Sequence, residues 1–514
     1  MNLPLAITAD PPAHRLGWRD FAMAFFFAAM ALLLTTQANR FPSTYHPDEP
    51  SKARQVLDGD YNFHHPMLLL STTKLIMALT RTPAEQDAVT IAGRWASALF
   101  TSAAICCLVL LAALLGGPLA GFGAGCLLVV NHELFELAHY FKEDPAMLLG
   151  VSAFFLALVC YDRTPSPARA LAMGAALGLA ISGKYLGAVI APLAFVLIAL
   201  RRDKLRALPA TALCIVGMLA VIAAANLPIL LNLAGFADGF EREVDFAVLG
   251  HKGITRSVPH GVYWKIFLDA TMPVRWLPLA GLLLAVFYAA LFLRRRQVRT
   301  AEWMVALFPV AFGLLLSFFP KTHHRYFLPA TAVILVLVAL GAVMLARFVW
   351  KNRPLFGAPG VQWPALAVLA AALAVQMPTF LDYYRDFSLD GRTAMADYVL
   401  QHVPRGAVIA QDKRVDLDAL HLPYDFRGKL FAAEVGTLDE LRAQKIEYVA
   451  VAEGDYGRYF EKKLRPTDDG ADVYAQRRAF YEGLFAHGEK LFECPAGTLQ
   501  YLQPHILLYR LPPR

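Results

Sequence analysis

Residues 95–115 read WASALFTSAAICCLVLLAALL, 21 consecutive residues without a charge. About 20 predominantly apolar residues cross the hydrocarbon core of a bilayer as a helix, so this stretch predicts a transmembrane segment. Comparable runs lie at 20–38, 117–138, 145–161, 168–183, 185–200, 208–231, 276–293, 302–319, 327–347 and 362–379, eleven in all. The expected fold class is an α-helical polytopic membrane protein. The run Pro66–Leu79 (PMLLLSTTKLIMAL) is too short to span and carries Lys74, which suits an interfacial or re-entrant helix. The first run follows Arg15 and Arg19 and resembles a signal peptide. Its length and the spans after it favour an uncleaved first helix.

Composition agrees. Of 514 residues, 57% are hydrophobic and 17% charged, and the mean hydropathy is +0.45; repeated apolar runs at that level imply a membrane rather than a soluble core. The net charge of +7 is modest, and no compact basic stretch interleaves with aromatics, so nucleic acid is excluded as a partner. The six cysteines show no CxxC spacing and imply no disulfide framework.

Lys and Arg in short loops set orientation. RTPSPAR (163–169), RRDKLR (201–206), RRRQVR (294–299) and RFVWKNR (347–353) alternate onto one side with Arg15 and Arg19. That places the N-terminus in the cytoplasm. It places 39–94, 139–144, 232–275, 320–326 and the tail outside. In 232–275, Tyr263 and Trp264 beside Lys265 suit a headgroup-level helix. From Asp382 the composition becomes globular. GRTAMADYVLQHV, TLDELRAQK and Val473–His487 read as helices; AVIAQD, IEYVAVA and ILLYRL read as strands. The expected domains are a membrane module over 1–379, with 39–94 as its first outer loop, and an extracytoplasmic α/β domain over 380–514. No GxGxxG or Walker spacing marks a nucleotide site.

Four polar groups far apart in sequence collect on the outer face. Ionisable residues at membrane depth are functional candidates by default. In YHPDEPSKARQVLDGD, Asp48 and Glu49 stand between Pro47 and Pro50, placed for a general base or a divalent metal, or simply solvated. In NHELFELAHYFKEDPAM, His132, Glu136 and Tyr140 share a helical face, Glu133 and Glu136 need partners, and Glu143 and Asp144 precede Pro145, where Asp144 could merely cap the next helix. Lys184 in ISGKYLG is either a snorkelling lysine or a phosphate ligand. FFPKTHHRYFLPA packs Lys321, His323, His324 and Arg325 outside, against the positive-inside trend, where they can hold phosphate oxygens or lipid headgroups. His64 and His65 could join Asp48 or His324 at a metal, although adjacent histidines rarely share one ion. Cations and carboxylates over an apolar bundle suit a substrate with a phosphate head and a long lipid tail.

At these residues the chain resembles the C-type (GT-C) polytopic glycosyltransferases, in particular the protein O-mannosyltransferases and the lipid A aminoarabinose transferases. The resemblance rests on an ordered set over about residues 15–350. HPDE follows the first span; then come Gly59–Asp60, His65–Pro66–Leu68, an Arg94-led second span, an acidic-Asp-Pro, GKY and HRYFLPA. The set implies inverting transfer of a sugar from a polyprenyl-phosphate carrier to a protein, lipid or glycan acceptor. Asp48 would be the base, supported by Glu49, with Asp144 at the second acidic position; Lys184, His324 and Arg325 would contact the carrier phosphate. This sequence reads KED there, so Glu143 shares the candidacy of Asp144. No cofactor is certain, and a divalent metal stays open, with Asp48, Glu49 and His65 as candidate ligands. The short loops and the tail suggest a bacterial inner membrane. The rivals are a lipid or lipid-linked sugar transporter (flippase), for which no internal repeat is seen, and a lipid-binding scaffold.

Overall fold

The computed structural model describes residues 14–37, 46–200, 204–248, 254–256, 299–316, 319, 324–351, 362–387, 389–462, 464–499 and 502–512. The expected span 276–293, the stretch around Tyr263–Lys265, and Lys321 and His323 lie outside them.

The membrane module begins with α1 (Trp18–Thr36), α2 (Glu49–Asp58), α3 (Leu68–Thr80) and α4 (Gln86–Gly116). The chain continues through α5 (Pro118–Val129), α6 (His132–Ala138), α7 (Asp144–Arg163), α8 (Pro167–Gly183), α9 (Ala191–Ala199), α10 (Lys204–Ala225), α11 (Leu227–Leu231) and α12 (Leu233–Val248). Then come α13 (Thr300–Leu316), α14 (Leu328–Lys351) and α15 (Gln362–Asp386). Among the described residues six helices are long and apolar enough to cross a membrane, or seven if α5 and α6, bent by 60°, form one broken span. The expected spans 168–183, 185–200 and 302–319 are helical but shorter. Large apolar side chains such as Phe25, Phe26, Leu208 and Val216 face outward, as they do where lipid replaces water. The chain is an integral membrane protein.

Lipid gives helices no hydrophobic reason to associate, so close backbone packing and hydrogen bonds hold them together. In α8, Gly174 and Gly178 lie one turn apart against α10. A Cβ on Gly178 would stand 2.6 Å from the Met218 carbonyl oxygen, and one on Gly174 would collide with the carbonyl of Cys214. On the other side of this seam, Gly217 of α10 lies against the Leu171 carbonyl. Polar ties finish the packing. Asn226 accepts from the Met67 amide at 2.8 Å and donates to Ser182 Oγ at 2.8 Å, joining α3 to α8 and α10.

The expected interfacial run is the 13-residue α3, whose Leu68, Leu69 and Leu70 are buried while Leu75 and Leu79 are exposed. The second expected span differs more. Helix α4 starts at Gln86, so Arg94 lies inside it and is 1% exposed. A charge survives there because it has a buried partner, described below.

The C-terminal part holds α16 (Gly391–His402), α17 (Leu438–Ala443) and α18 (Ala471–His487). Its five-stranded sheet runs β3-β2-β4-β7-β6, from β2 (Val408–Gln411), β3 (Asp425–Arg427), β4 (Tyr448–Ala452), β6 (Glu489–Cys494) and β7 (Ile506–Arg510). β2 pairs parallel with β3 and β4; β7 runs antiparallel to β4 and β6. The helices and strands read from the sequence at 391–403, 407–412, 437–445, 446–452, 473–487 and 506–511 are present here.

This part is fastened to the membrane module twice. Leu499 and Leu502 join the module's apolar core, Gln503 Nε2 donates to the Asp386 carbonyl, and the Phe387 ring lies 4.0 Å from His139. Separately, β1 (Ile254–Arg256), from the loop after α12, pairs antiparallel with β5 (Leu464–Pro466).

The glycine seam generates a prediction. Gly174→Val forces a branched side chain into the α10 backbone and lowers stability by about 1–3 kcal/mol or more. Ala172→Val, on the exposed face, changes little. Thermal unfolding of the detergent-solubilised protein distinguishes them.

Candidate active site

Two helix N-termini meet at one end of the bundle. The positive ends of α2 and α7 both favour negative charge, and both carry acids: Asp48 and Glu49 at the first, Glu143 and Asp144 at the second. An acid at such a position ordinarily caps by accepting a backbone N–H. Neither Asp48 nor Glu143 does so. Ser166 and Asn131 do cap their helices, α8 and α6. The carboxylates of the site are turned to other partners.

Glu49 is fully buried and bound by three donors. Arg94 grips it in bidentate fashion, Nε to Oε1 at 3.1 Å and Nη2 to Oε2 at 2.8 Å, and the Phe141 amide donates to Oε1 at 2.9 Å. One carboxylate thereby joins α2, α4 and the segment before α7.

That segment brings in Lys142. Its backbone is clamped to Ser97 of α4 by both N–H and carbonyl, and its side chain is 2% exposed. Nζ donates to Asp48 Oδ2 at 2.6 Å and lies 3.7 Å from Glu143 Oε2. Lys52 pairs with Glu143 Oε1, and His65 Nε2 stands 4.0 Å from the same oxygen. Asp144 Oδ1 accepts from Lys184 Nζ at 2.7 Å, and its Oδ2 lies 3.9 Å from Arg325 Nε. Lys184 also sits 4.0 Å over the Tyr326 ring. Arg325 Nη1 reaches His46 Nε2 at 3.1 Å, while His46 Nδ1 faces the Asp48 amide at 3.1 Å.

Asp48 stands apart. Its side chain is 46% exposed, whereas those of Glu49, Glu143 and Asp144 are sealed. Oδ2 is pinned by Lys142, and among the described residues Oδ1 has no hydrogen-bond partner. This carboxylate is closely surrounded by protein charges yet open to solvent at one oxygen. Burial pushes its pKa up, but the charges of Lys142, His46, Lys52 and Arg325 outweigh that and hold it well below the usual carboxylate range. Burial pushes His46 and His65 well below the usual histidine value, with nearby lysines adding to the effect, so both are neutral at neutral pH. Among the described residues four basic side chains (Lys52, Lys142, Lys184, Arg325) share this space with three carboxylates (Asp48, Glu143, Asp144), and burial lowers the pKa of Lys52 and Lys142.

Of the residues expected from sequence, Asp48, Glu49, Glu143, Asp144, Lys184, Arg325 and His65 gather at this end. Lys321 and His323 lie outside the described residues, and the side chain of His324 does too. Glu136 accepts from Tyr140 at 2.7 Å and Glu133 Oε2 from Thr331 at 3.1 Å, while Glu133 Oε1 is buried without a hydrogen-bond partner. The candidate metal ligands Asp48, Glu49 and His65 do not converge: each faces a different partner. Among the described residues no group of three or more His, Cys, Asp or Glu side chains is placed to hold a metal ion.

Sequence reasoning missed Lys142, Lys52 and His46. Lys142 stood inside the quoted KED and Lys52 one turn after Asp48, but neither spacing marks a lysine as buried.

The ion pair gives a measurable expectation. Arg94→Met leaves Glu49 buried and unpaired and costs about 3–5 kcal/mol; Glu49→Gln/Arg94→Met regains much of it. Unfolding of the purified variants, compared with wild type, checks both.

The comparisons agree with this architecture. The family model of the dolichyl-phosphate-mannose-protein mannosyltransferases matches residues 64–227. Among curated proteins none matches the chain in sequence. The crystal structure of ArnT from Cupriavidus metallidurans bound to undecaprenyl phosphate superposes with a TM-score of 0.55, at 15% identity, over 94% of this chain and 97% of that one. Its apo state gives 0.53 at 16% identity over the same shares. The oligosaccharyltransferase AglB from Archaeoglobus fulgidus, in complex with an inhibitory peptide and a dolichol-phosphate, gives 0.53 at 14% identity, over 93% of this chain and 74% of that one. The chain thus shares the fold of these solved membrane proteins, and its residues 64–227 match the mannosyltransferase family model.

Proposed function

We propose that this protein is a membrane glycosyltransferase that moves a sugar from a polyprenyl-phosphate carrier to an acceptor on the extracytoplasmic face. The observation that carries the reading is Asp48: one oxygen pinned by Lys142, the other without a hydrogen-bond partner among the described residues, beside acids that are paired and sealed. The matched family is named for a dolichyl-phosphate sugar donor, and the two similar structures hold undecaprenyl phosphate and dolichol-phosphate. These support a lipid phosphate as the donor's carrier. The Lys/Arg-rich loops support the sidedness.

The acceptor's O–H or N–H faces Asp48 Oδ1, which takes its proton. The acceptor lone pair attacks the anomeric carbon from the side opposite the phosphate, and the C–O bond to phosphate breaks. The configuration inverts, and the carrier departs as a polyprenyl phosphate with one more negative charge than the donor had. Lys184 and Arg325 stabilise that developing charge, which is where preorganised cations accelerate a reaction. Asp144 orients both of them.

Asp48 in the empty site is a weak base, because surrounding cations stabilise its ionised form. The donor is a phosphodiester with a single negative charge. Its arrival offsets the field on Asp48 and raises its proton affinity when the acceptor must be deprotonated. The base is thus strongest with the donor in place.

Transfer from a panel of radiolabelled polyprenyl-phosphate sugars tests the reading. Wild-type membranes should label an acceptor, and folded Asp48→Asn should lose about 10²–10⁴-fold in rate. Equal transfer by both overturns Asp48 as the base; binding of the donor without turnover by wild type overturns the transferase reading. Lys184→Met should raise the donor KM by about 10–100-fold, the loss of one charge-assisted contact. Because the Asp48 pKa is depressed in the empty site, wild-type kcat/KM should persist to pH values below the usual carboxylate range and fall only as the pH drops through that lowered value, while kcat should fall at a higher pH.

A further inference from the structure

Three carboxylates from two helix N-termini, with a histidine nearby, are a donor set of the kind that holds a divalent cation through oxygen ligands. Here each of the three acids already holds a lysine of the chain on one oxygen, while Asp144 Oδ2, like Glu143 Oε2, has no hydrogen-bond partner. Asp48 takes Lys142 at 2.6 Å, Glu143 takes Lys52, and Asp144 takes Lys184 at 2.7 Å. Lys142 straddles two of the acids, since Glu143 Oε2, buried and without a hydrogen-bond partner, lies 3.7 Å from the same ammonium. Glu49 is not available for an ion, because Arg94 and the Phe141 amide occupy both its oxygens.

Lys142 is not a surface lysine that can swing aside. It is 2% exposed, and Ser97 holds its backbone at both N–H and carbonyl. A dication entering beside Asp48 would meet the Lys142 ammonium, 2.6 Å from Oδ2, and the charges of Lys52 and Arg325. Repulsion at such separations is strong in a partly desolvated site.

We propose that Lys142 is a built-in cation that stands where a divalent metal would beside Asp48, fixing that carboxylate with Oδ1 free so that the site works without a metal. The proposal deepens the transferase reading, on which its kinetic consequence rests; the occupancy of the site by Lys142 does not depend on it. Lys142 is a positioning residue, acting through Asp48. The charged and titratable groups facing Asp48 are His46 from its own segment, Lys52 on α2, Lys142 before α7, and Arg325 before α14.

Manganese titration of the purified full-length protein, read by electron paramagnetic resonance, needs no turnover and is the first test. Wild type should bind no Mn2+ whose binding depends on Asp48. Lys142→Ala should gain a site that Lys142→Ala/Asp48→Asn lacks. Stoichiometric Mn2+ binding by wild type that Asp48→Asn abolishes overturns the proposal, even if no sugar donor is ever found. In the transfer assay, wild type should be insensitive to EDTA. Lys142→Met should lose about 100-fold in rate, with the acid limb of kcat/KM moving up by about one pH unit or more, and Lys142→Arg should return the limb toward wild type. A lower rate with the limb unmoved makes Lys142 merely structural and also overturns the proposal.

Discussion

The buried pair of Glu49 and Arg94 is the interaction on which the site depends. A charge inside a transmembrane helix is costly, and a bidentate partner with a third donor is what makes this one tolerable. Its geometric effect exceeds its energetic one. Glu49 opens α2, Arg94 lies within α4, and the Phe141 amide begins the segment that leads into α7. With these three fixed, Asp48 and Lys142, each adjacent to a member of the lock, have nowhere to go but toward each other. Gly93, next to Arg94, lets the Phe141 ring lie directly on the helix, where any Cβ would collide with it.

Charge balance is the second organising constraint. Each carboxylate of the site has a cation from another element: Glu143 has Lys52 of α2, Asp48 has Lys142 from before α7, and Asp144 has Lys184 from after α8 and Arg325 from before α14. Ion pairs between elements in low dielectric enforce register, because moving one element exposes an uncompensated charge. The same arrangement leaves Asp48 as the one acid of the set that solvent reaches. Rigidity elsewhere and openness at one oxygen come from the same pairing.

Much of this was legible in the sequence, for physical reasons. Apolar runs of membrane length cannot avoid being helices, and acids or cations beside them demand partners, so Asp48, Glu143, Asp144, Lys184 and Arg325 stood out. Which acid pairs with which cation was not legible. Asp48 and Lys52 are one helical turn apart, yet Lys52 turns to Glu143 and Asp48 to Lys142, a choice made by three-dimensional packing. Capping was the natural reading of Asp144, and only the approach of α8 reveals Lys184 as its partner. The start of α4 was misplaced because Arg94 reads as a boundary when its partner, 45 residues earlier, is unseen. The fastening of the C-terminal sheet to the bundle had no local signal, since Leu499 and Leu502 look like ordinary core residues of the domain they leave.

The small ladder between β1 and β5 joins backbone from residues 254–256 to backbone from 464–466. Backbone hydrogen bonds cannot reach across a bilayer, so both strands lie on one side of it. The chain between them must therefore cross an even number of times, whichever way the protein is oriented. The four spans expected from the sequence in that interval, one of which (276–293) lies outside the described residues, have this parity. A chain that failed to insert one of them would deliver β5 to the wrong compartment and leave β1 unpaired. The two-stranded ladder therefore ties the topology of the loop after α12 to that of the C-terminal part, and it can close only once the chain through Pro466 has been made.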